Sequence, residues 1–181
     1  MQKKFFRSII LLVLLNLLVK PVWIFAIDRQ VQNLAGFDAY GQYFALLNLC
    51  IVFNFLLDLG ISTYFNREVA AQQVNDVTLF SDSLKGKLWL SLLYTLVILA
   101  VAYLTGIRDN KLLLMLIIMQ IGSSVLLFLR SYLTATQHYR QDAIISVTDK
   151  LMVIILVGVI ILFPNLTGPI SIFRFVAIQV A

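Results

Sequence analysis

Long apolar runs constrain the fold of this chain more than any other feature. Taking roughly 20 residues as the length that crosses a bilayer, we find five complete runs and the beginning of a sixth. We therefore predict an all-α fold, a polytopic bundle of transmembrane helices that takes in residues 1–181. The predicted helices are Phe5–Ile27, Tyr40–Phe65, Leu84–Gly106, Lys111–Thr136 and Ala143–Phe163, with a further helix from Ile170 onward.

The composition excludes several classes of protein. Hydrophobic residues make up 61% of the chain and charged residues 13%, whereas about a quarter of the residues of a soluble domain are charged. Because the Lys and Arg residues are scattered, we expect no nucleic-acid partner. Cys50 is the only cysteine and His138 the only histidine, so we predict no metal site and no cofactor.

The connections between the predicted helices indicate the orientation of the chain. An N-terminus on the cytoplasmic side leaves seven of the Lys and Arg residues near the helix ends inside and three outside, which satisfies the positive-inside rule. The longest connection, Asn66–Ser83, carries apolar residues at helical spacing and is expected to lie along the cytoplasmic interface. The chain ends at Ala181 within an apolar run, so we expect it to be a fragment of a longer protein.

Ionisable side chains inside the predicted helices are candidates for a function. Each would cost on the order of 2.5 to 3.5 kcal/mol near the centre of a lipid-facing helix, so we expect these side chains to face protein or a cavity. Counting about 1.5 Å per residue places four of them in the cytoplasmic half of the membrane. The six residues are Lys20, Asp58, Arg130, Asp149, Lys150 and Arg174.

The four inner residues, Asp58, Arg130, Asp149 and Lys150, can pair with one another. They form either a salt-bridge cluster that fixes helix packing or a gate whose ion pairs break and reform. The sequence leaves both interpretations open, and it equally allows Asp58 and Asp149 to couple transport to an ion.

The outer half of the predicted bundle carries Lys20 and Arg174, which either extend to the headgroups or line a cavity. Asn16 lies one helical turn before Lys20 on the same face, which favours a cavity. Asn48 and Gln120 fall at a middle depth and could line the same space or join helices. Four bases against two acids leave an interior charge of about +2, which suits an anionic ligand.

Two motif regions resemble a known family. Tyr40-Gly41-Gln42-Tyr43 opens the second predicted helix and Asp58-Leu59-Gly60-Ile61 lies near its end, while Arg130-Ser131-Tyr132 closes the fourth. With Arg67, Ala135 and Tyr139, they resemble the polysaccharide biosynthesis flippases of Wzx type, in the multidrug, oligosaccharidyl-lipid and polysaccharide exporter superfamily. The chain departs from that pattern at Thr136 and Gln137, where such proteins often carry a glycine.

This resemblance implies the first lobe of a two-bundle transporter in the bacterial cytoplasmic (inner) membrane. It implies a flippase, with no enzyme activity, that moves an undecaprenyl-diphosphate-linked oligosaccharide for O-antigen or capsule synthesis by alternating access. The expected partners are membrane lipids, the lipid-linked substrate, and a polysaccharide polymerase or other assembly proteins. Lys20, Arg130, Lys150 and Arg174 are the cations available to bind the diphosphate.

Three alternatives remain open at this stage. A cation-coupled multidrug exporter of the same superfamily would use Asp58 or Asp149 in an acidic cavity, whereas the interior here counts as basic. A membrane-embedded glycosyltransferase would need a nucleophile or carboxylates gathered at the interface. Beyond Glu68, the longest connection offers only Asp76 and Asp82. A structural assembly subunit would use the interior charges for packing alone.

Overall fold

The computed structural model describes residues 17, 21, 23–71, 76–107, 109–162 and 171–180, and these residues are helical with no strand among them. A π-helical segment, Trp23–Asp28, leads into the first α-helix, and a short 3-10 turn, Asn54–Leu57, separates the second and third. The helices are α1 (Arg29–Ala35), α2 (Phe37–Val52), α3 (Ile61–Ala71), α4 (Asp76–Leu104), α5 (Asn110–Ala135), α6 (Tyr139–Leu162) and α7 (Ile172–Val180).

Three of these helices are long and apolar enough to cross a membrane, and the pair formed by Phe37–Val52 and Asn54–Ala71 makes a fourth span if it is counted as one. The three spans are Thr78–Leu104, Asn110–Ala135 and Ile144–Ile161. Only 22% of the first and 39% of the second is buried within the protein, so most of their apolar surface faces outward, as lipid contact requires. The predicted all-α fold is confirmed for the described residues, with three to four helices that are apolar enough to span a membrane. Most of the first predicted helix, Phe5–Ile27, lies outside them.

The second predicted helix is not continuous, which corrects the expectation of one helix over Tyr40–Phe65. α2 ends at Val52, the 3-10 turn Asn54–Leu57 follows, and α3 begins at Ile61. The axis bends by 51° between Phe37–Val52 and Asn54–Ala71. Between the 3-10 turn and α3, two residues have positive φ, Leu59 at 39° and Gly60 at 87°, a backbone conformation that cannot continue a right-handed helix. The Asp58-Leu59-Gly60 sequence therefore separates the 3-10 turn from α3.

The predicted connection Asn66–Ser83 is also wrong as a separate interfacial segment. Helix α3 continues to Ala71 and α4 already begins at Asp76, eight residues before the predicted start at Leu84. Phe80, expected at the interface, packs against a buried cluster of Phe65, Val69, Leu79 and Phe128. Val69, Leu79 and Phe80 of this stretch thus serve helix packing within the protein.

The chain divides into two compact units. The first contains the chain up to Tyr43 and from Tyr139 onward. In it α6 contacts the π-helical segment and α7, and α7 contacts α1. Tyr40 donates a hydrogen bond of 2.6 Å from its hydroxyl to Asp28 Oδ1, and the Tyr43 ring meets the Phe175 ring edge-on at 5.8 Å.

The second unit, Phe44–His138, contains the break in the second span. Helix α3 packs against α4 and α5, and the 3-10 turn Asn54–Leu57 packs against the same two helices. At Gly86 of α4 an added Cβ would lie 3.0 Å from Ile61 Cδ1, so glycine allows α3 and α4 to approach closely. On the other side of the break, Tyr94 donates a hydrogen bond of 3.1 Å from its hydroxyl to the carbonyl oxygen of Cys50.

Candidate functional site

The break in the second span leaves a carbonyl oxygen at Leu57 that is available to side chains. In a continuous α-helix this oxygen would accept the N–H of Ile61, but Ile61 donates instead to the carbonyl oxygen of Asp58, at 2.8 Å. Leu57 itself is buried, so its carbonyl needs a partner within the protein. Two side chains, Lys87 from α4 and Ser124 from α5, supply hydrogen bonds to it.

Lys87 lies well inside α4. Counting about 1.5 Å per residue, it lies about 14 Å along the helix from Thr78, where the span begins. The helix predicted to begin at Leu84 puts Lys87 in its first turn, whereas α4 begins at Asp76 and puts Lys87 in its interior. The Lys87 side chain is only 3% exposed.

The ammonium group of Lys87 is surrounded by oxygen atoms from three elements. Its Nζ lies 2.8 Å from Asp58 Oδ1 and 2.8 Å from Ser124 Oγ. The carbonyl oxygens of Ser124 and Leu57 lie 3.2 and 3.5 Å away. Ser124 Oγ also donates a hydrogen bond of 3.2 Å to the Leu57 carbonyl, which turns a lone pair of the hydroxyl toward Nζ. We call these four oxygens the Lys87 oxygen shell.

Asp58 joins this shell to the start of α3. Its Oδ1 accepts hydrogen bonds from the hydroxyl and from the backbone N–H of Ser62, the latter at 3.3 Å. The carboxylate thus receives an N–H group of the first turn of α3, which would otherwise be without an intrahelical partner. It therefore stabilises the beginning of α3 and the charge on Lys87 together.

Aromatic rings pack next to the shell. The Phe128 ring centroid lies 5.7 Å from Lys87 Nζ, a distance at which the ring face attracts a cation. Phe128 is fully buried, with its centroid 4.8 Å from that of Phe65 and 5.6 Å from that of Phe80. Because these rings belong to α3, α4 and α5, the position of the ammonium is coupled to the packing of all three helices.

Among the predicted site residues, Asp58 belongs to this arrangement. Asp58 was expected to pair with Arg130 or Lys150, but the cation against it is Lys87. Gln120 is buried on α5 one turn before Ser124, so both residues share the face of α5 that meets the break. Arg130 is partly buried on the same helix, within the second unit.

Of the remaining predicted site residues, Asn48 and Arg174 have side chains that the structure describes. Asn48 is exposed and donates a hydrogen bond of 2.8 Å to the carbonyl of Phe44 in its own helix. Arg174 is exposed on α7 in the first unit. Asn16 and Lys20 lie outside the described residues, and of Asp149 and Lys150 the structure describes only the helical backbone.

Sequence reasoning missed Lys87 and Ser124, although a signal for Lys87 was present. Ser83, Lys87, Ser91 and Thr95 recur every four residues in α4 and form a polar stripe along an apolar helix. Ser83 and Lys87 are buried and the other two partly so. A polar stripe at helical spacing indicates a face directed at protein, and it could have identified the lysine as an interior residue.

Comparison with protein-family models, with curated proteins and with solved structures finds no match to this chain.

Proposed function

We propose that this chain belongs to an integral membrane flippase that moves an undecaprenyl-diphosphate-linked oligosaccharide between leaflets by alternating access. One observation carries the proposal: an ion pair between Asp58 and the buried Lys87 lies at the break of a bent span. Broken helices in membranes are tolerated where the freed backbone groups face protein or a cavity, and transporters use them at their moving parts. The resemblance of the Tyr40–Tyr43 and Asp58–Ile61 motifs to flippases of Wzx type supplies the substrate class.

In this proposal the break acts as the hinge of an inner gate. The Lys87 oxygen shell joins the 3-10 turn to α4 and α5, so the bend at the break cannot change while those contacts are intact. Movement of Asp58 away from Lys87 also affects the start of α3, because Asp58 accepts a hydrogen bond from the backbone N–H of Ser62. Such an all-or-none set of contacts gives a transporter two discrete arrangements.

The anionic diphosphate of the substrate is bound by cationic side chains other than Lys87, which is already paired. Arg130 and Arg174 are the candidates whose side chains the structure describes, and Lys20 and Lys150 complete the proposed set, with Asn16, Asn48 and Gln120 as polar lining and Asp149 as a second gate residue. We place the protein in the bacterial inner membrane with its N-terminus in the cytoplasm. A polysaccharide polymerase and other assembly proteins are its proposed partners.

A cation-coupled multidrug exporter is the second candidate, because Asp58 is a carboxylate within a bent span. It ranks below the flippase since Lys87 already neutralises that carboxylate, whereas a site for organic cations needs unbalanced negative charge. Assays of both substrates in vesicles that contain the native chain separate the two candidates. An exporter transports organic cations and does not move the lipid-linked oligosaccharide, whereas a flippase translocates the lipid-linked oligosaccharide.

The test is translocation of a fluorescent undecaprenyl-diphosphate-linked oligosaccharide in vesicles that contain the full chain. A hydrogen bond to a charged group contributes about 1.5–3 kcal/mol, so Arg130→Ala and Lys20→Ala are each expected to slow translocation about tenfold or more. Lys111→Ala removes an exposed cation at the start of α5 and is the matched control, expected to translocate at the native rate. Absence of translocation by the native chain contradicts the proposed function, and native rates for both variants contradict the site.

A further inference from the structure

The four oxygens of the Lys87 oxygen shell are of the chemical types that bind alkali-metal ions in proteins. Two are backbone carbonyls, one is a hydroxyl and one is a carboxylate. One of the carbonyls, at Leu57, is exposed to the shell by the break in the second span. Unwound backbone carbonyls within a membrane are a recurrent source of ligands for monovalent cations.

The charge of the shell also fits a monovalent cation. Asp58 contributes its one carboxylate and the other three oxygens are neutral, so one positive charge balances the site. A divalent ion would need more carboxylates, and the described part of the chain contains no group of three or more His, Cys, Asp or Glu residues that could hold one. The Phe128 ring face adds attraction for a single positive charge.

We propose that the Lys87 oxygen shell is a monovalent-cation site whose occupant is the lysine ammonium itself. The native chain carries its cation on a side chain and binds no free alkali ion at this position. Truncating Lys87 exposes the shell, which then takes up Na⁺ or K⁺ as the ligand. Binding of Na⁺ or K⁺ by the emptied shell is inferred from the positions of its four oxygens and does not depend on the transport function. Its consequence, that conformational change at this break needs no alkali ion, rests on the proposed transport function.

The experiment measures thermal unfolding of the full-length Lys87→Ala variant in detergent micelles, in sodium, potassium or choline chloride at equal ionic strength. An ion that binds the folded state and not the unfolded state raises the midpoint temperature of unfolding. The rise is proportional to the logarithm of the ion concentration. We expect a concentration-dependent rise of several degrees in Na⁺ or K⁺ relative to choline, and no such difference for the native chain. The double variant Lys87→Ala/Asp58→Ala is expected to lose the rise because the carboxylate is gone.

Lys85→Ala is the matched control. Lys85 lies two residues away on α4, its side chain is 69% exposed, and it pairs with Asp82 at the surface. Its replacement changes net charge by the same amount but empties no oxygen shell, so we expect no difference between alkali ions and choline. A cation-specific rise in this variant overturns the proposal, because alkali ions would then stabilise the protein by binding somewhere other than the Lys87 oxygen shell.

Two further measurements keep the proposal falsifiable if Lys87→Ala folds poorly. Lys87→Ser leaves a hydroxyl in the emptied space and is expected to show the same response to Na⁺ or K⁺. The second measurement adds n-propylammonium, the part of lysine that alanine lacks, to Lys87→Ala. Stabilisation by n-propylammonium with no response of either variant to alkali ions overturns the proposal, since the shell would then be specific for an alkylammonium. None of these measurements depends on transport, so failure of the proposed function is detected separately.

Discussion

Lys87 and Asp58 form an ion pair of 2.8 Å whose two members are unequally buried. The lysine side chain is 3% exposed and the aspartate side chain 38%, so the lysine is enclosed by protein and the aspartate only partly so. Removing one partner of a buried pair is costly chiefly because the remaining charge is left unpaired away from water. The two single replacements should therefore have different effects on stability.

We expect Asp58→Asn to lower the free energy of unfolding by about 3 kcal/mol, since it leaves the buried ammonium without its counter-charge. Lys87→Met should cost only about 1 kcal/mol, because the Asp58 carboxylate is less enclosed and keeps both hydrogen bonds from Ser62. The double variant should be more stable than Asp58→Asn alone. Thermal unfolding in choline chloride measures all three, and equal costs for the two single variants would contradict the asymmetry.

Gly60 is expected to be sensitive to replacement for a purely conformational reason. Its φ is 87° and an added Cβ would meet nothing within 4 Å, so Gly60→Ala should cost about 1 kcal/mol through the backbone alone. Gly122 in α5 also has open space around it but has no positive φ, so Gly122→Ala should be neutral or stabilising by up to about 1 kcal/mol. Unfolding midpoints of the two variants should move in opposite directions, and a shared loss would point to packing instead.

The side-chain amide of Asn66 on α3 forms hydrogen bonds with the C-terminal end of α5. Its Nδ2 donates hydrogen bonds of 2.6 Å to Thr134 Oγ1 and 3.0 Å to the carbonyl of Ser131. A double-mutant cycle with Asn66→Ala and Thr134→Val is expected to give a coupling energy of about 0.6 kcal/mol, the average for interhelical hydrogen bonds in membranes. Asn48→Ala is the control, because that exposed amide bonds only within its own helix. A coupling energy of zero would show that the Asn66–Thr134 bond adds nothing to stability.

The predicted orientation can be tested by cysteine labelling. Cys50 is the only native cysteine and is fully buried, so it adds little background. With the N-terminus in the cytoplasm, Thr105→Cys lies outside and His138→Cys inside, at opposite ends of α5. A membrane-impermeant maleimide added to intact cells should label the first and spare the second. The reverse pattern would place the N-terminus on the outer side.

The sequence predicted the presence of α-helices well, because a membrane allows few other backbone structures. The apolar run Lys111–Thr136 predicted a helix that the structure places at Asn110–Ala135. Where a helix begins was harder to predict, as for α4, since polar residues such as Ser83 and Lys87 can belong either to a connection or to a buried helical face. The decision depends on what packs against that face, which one sequence does not contain.

The sequence by itself determined that this chain is helical and apolar enough for a membrane, because every backbone N–H and C=O in hydrocarbon must be satisfied within its own helix. It also marked Asp58 as a residue that cannot face lipid. Only the tertiary structure decided the partner of that residue. The break at Leu59 and Gly60 frees the Leu57 carbonyl, and the packing of α4 and α5 around the break brings Lys87 and Ser124 to it. Contacts between distant segments depend on helix packing, and no local pattern in the chain specifies them.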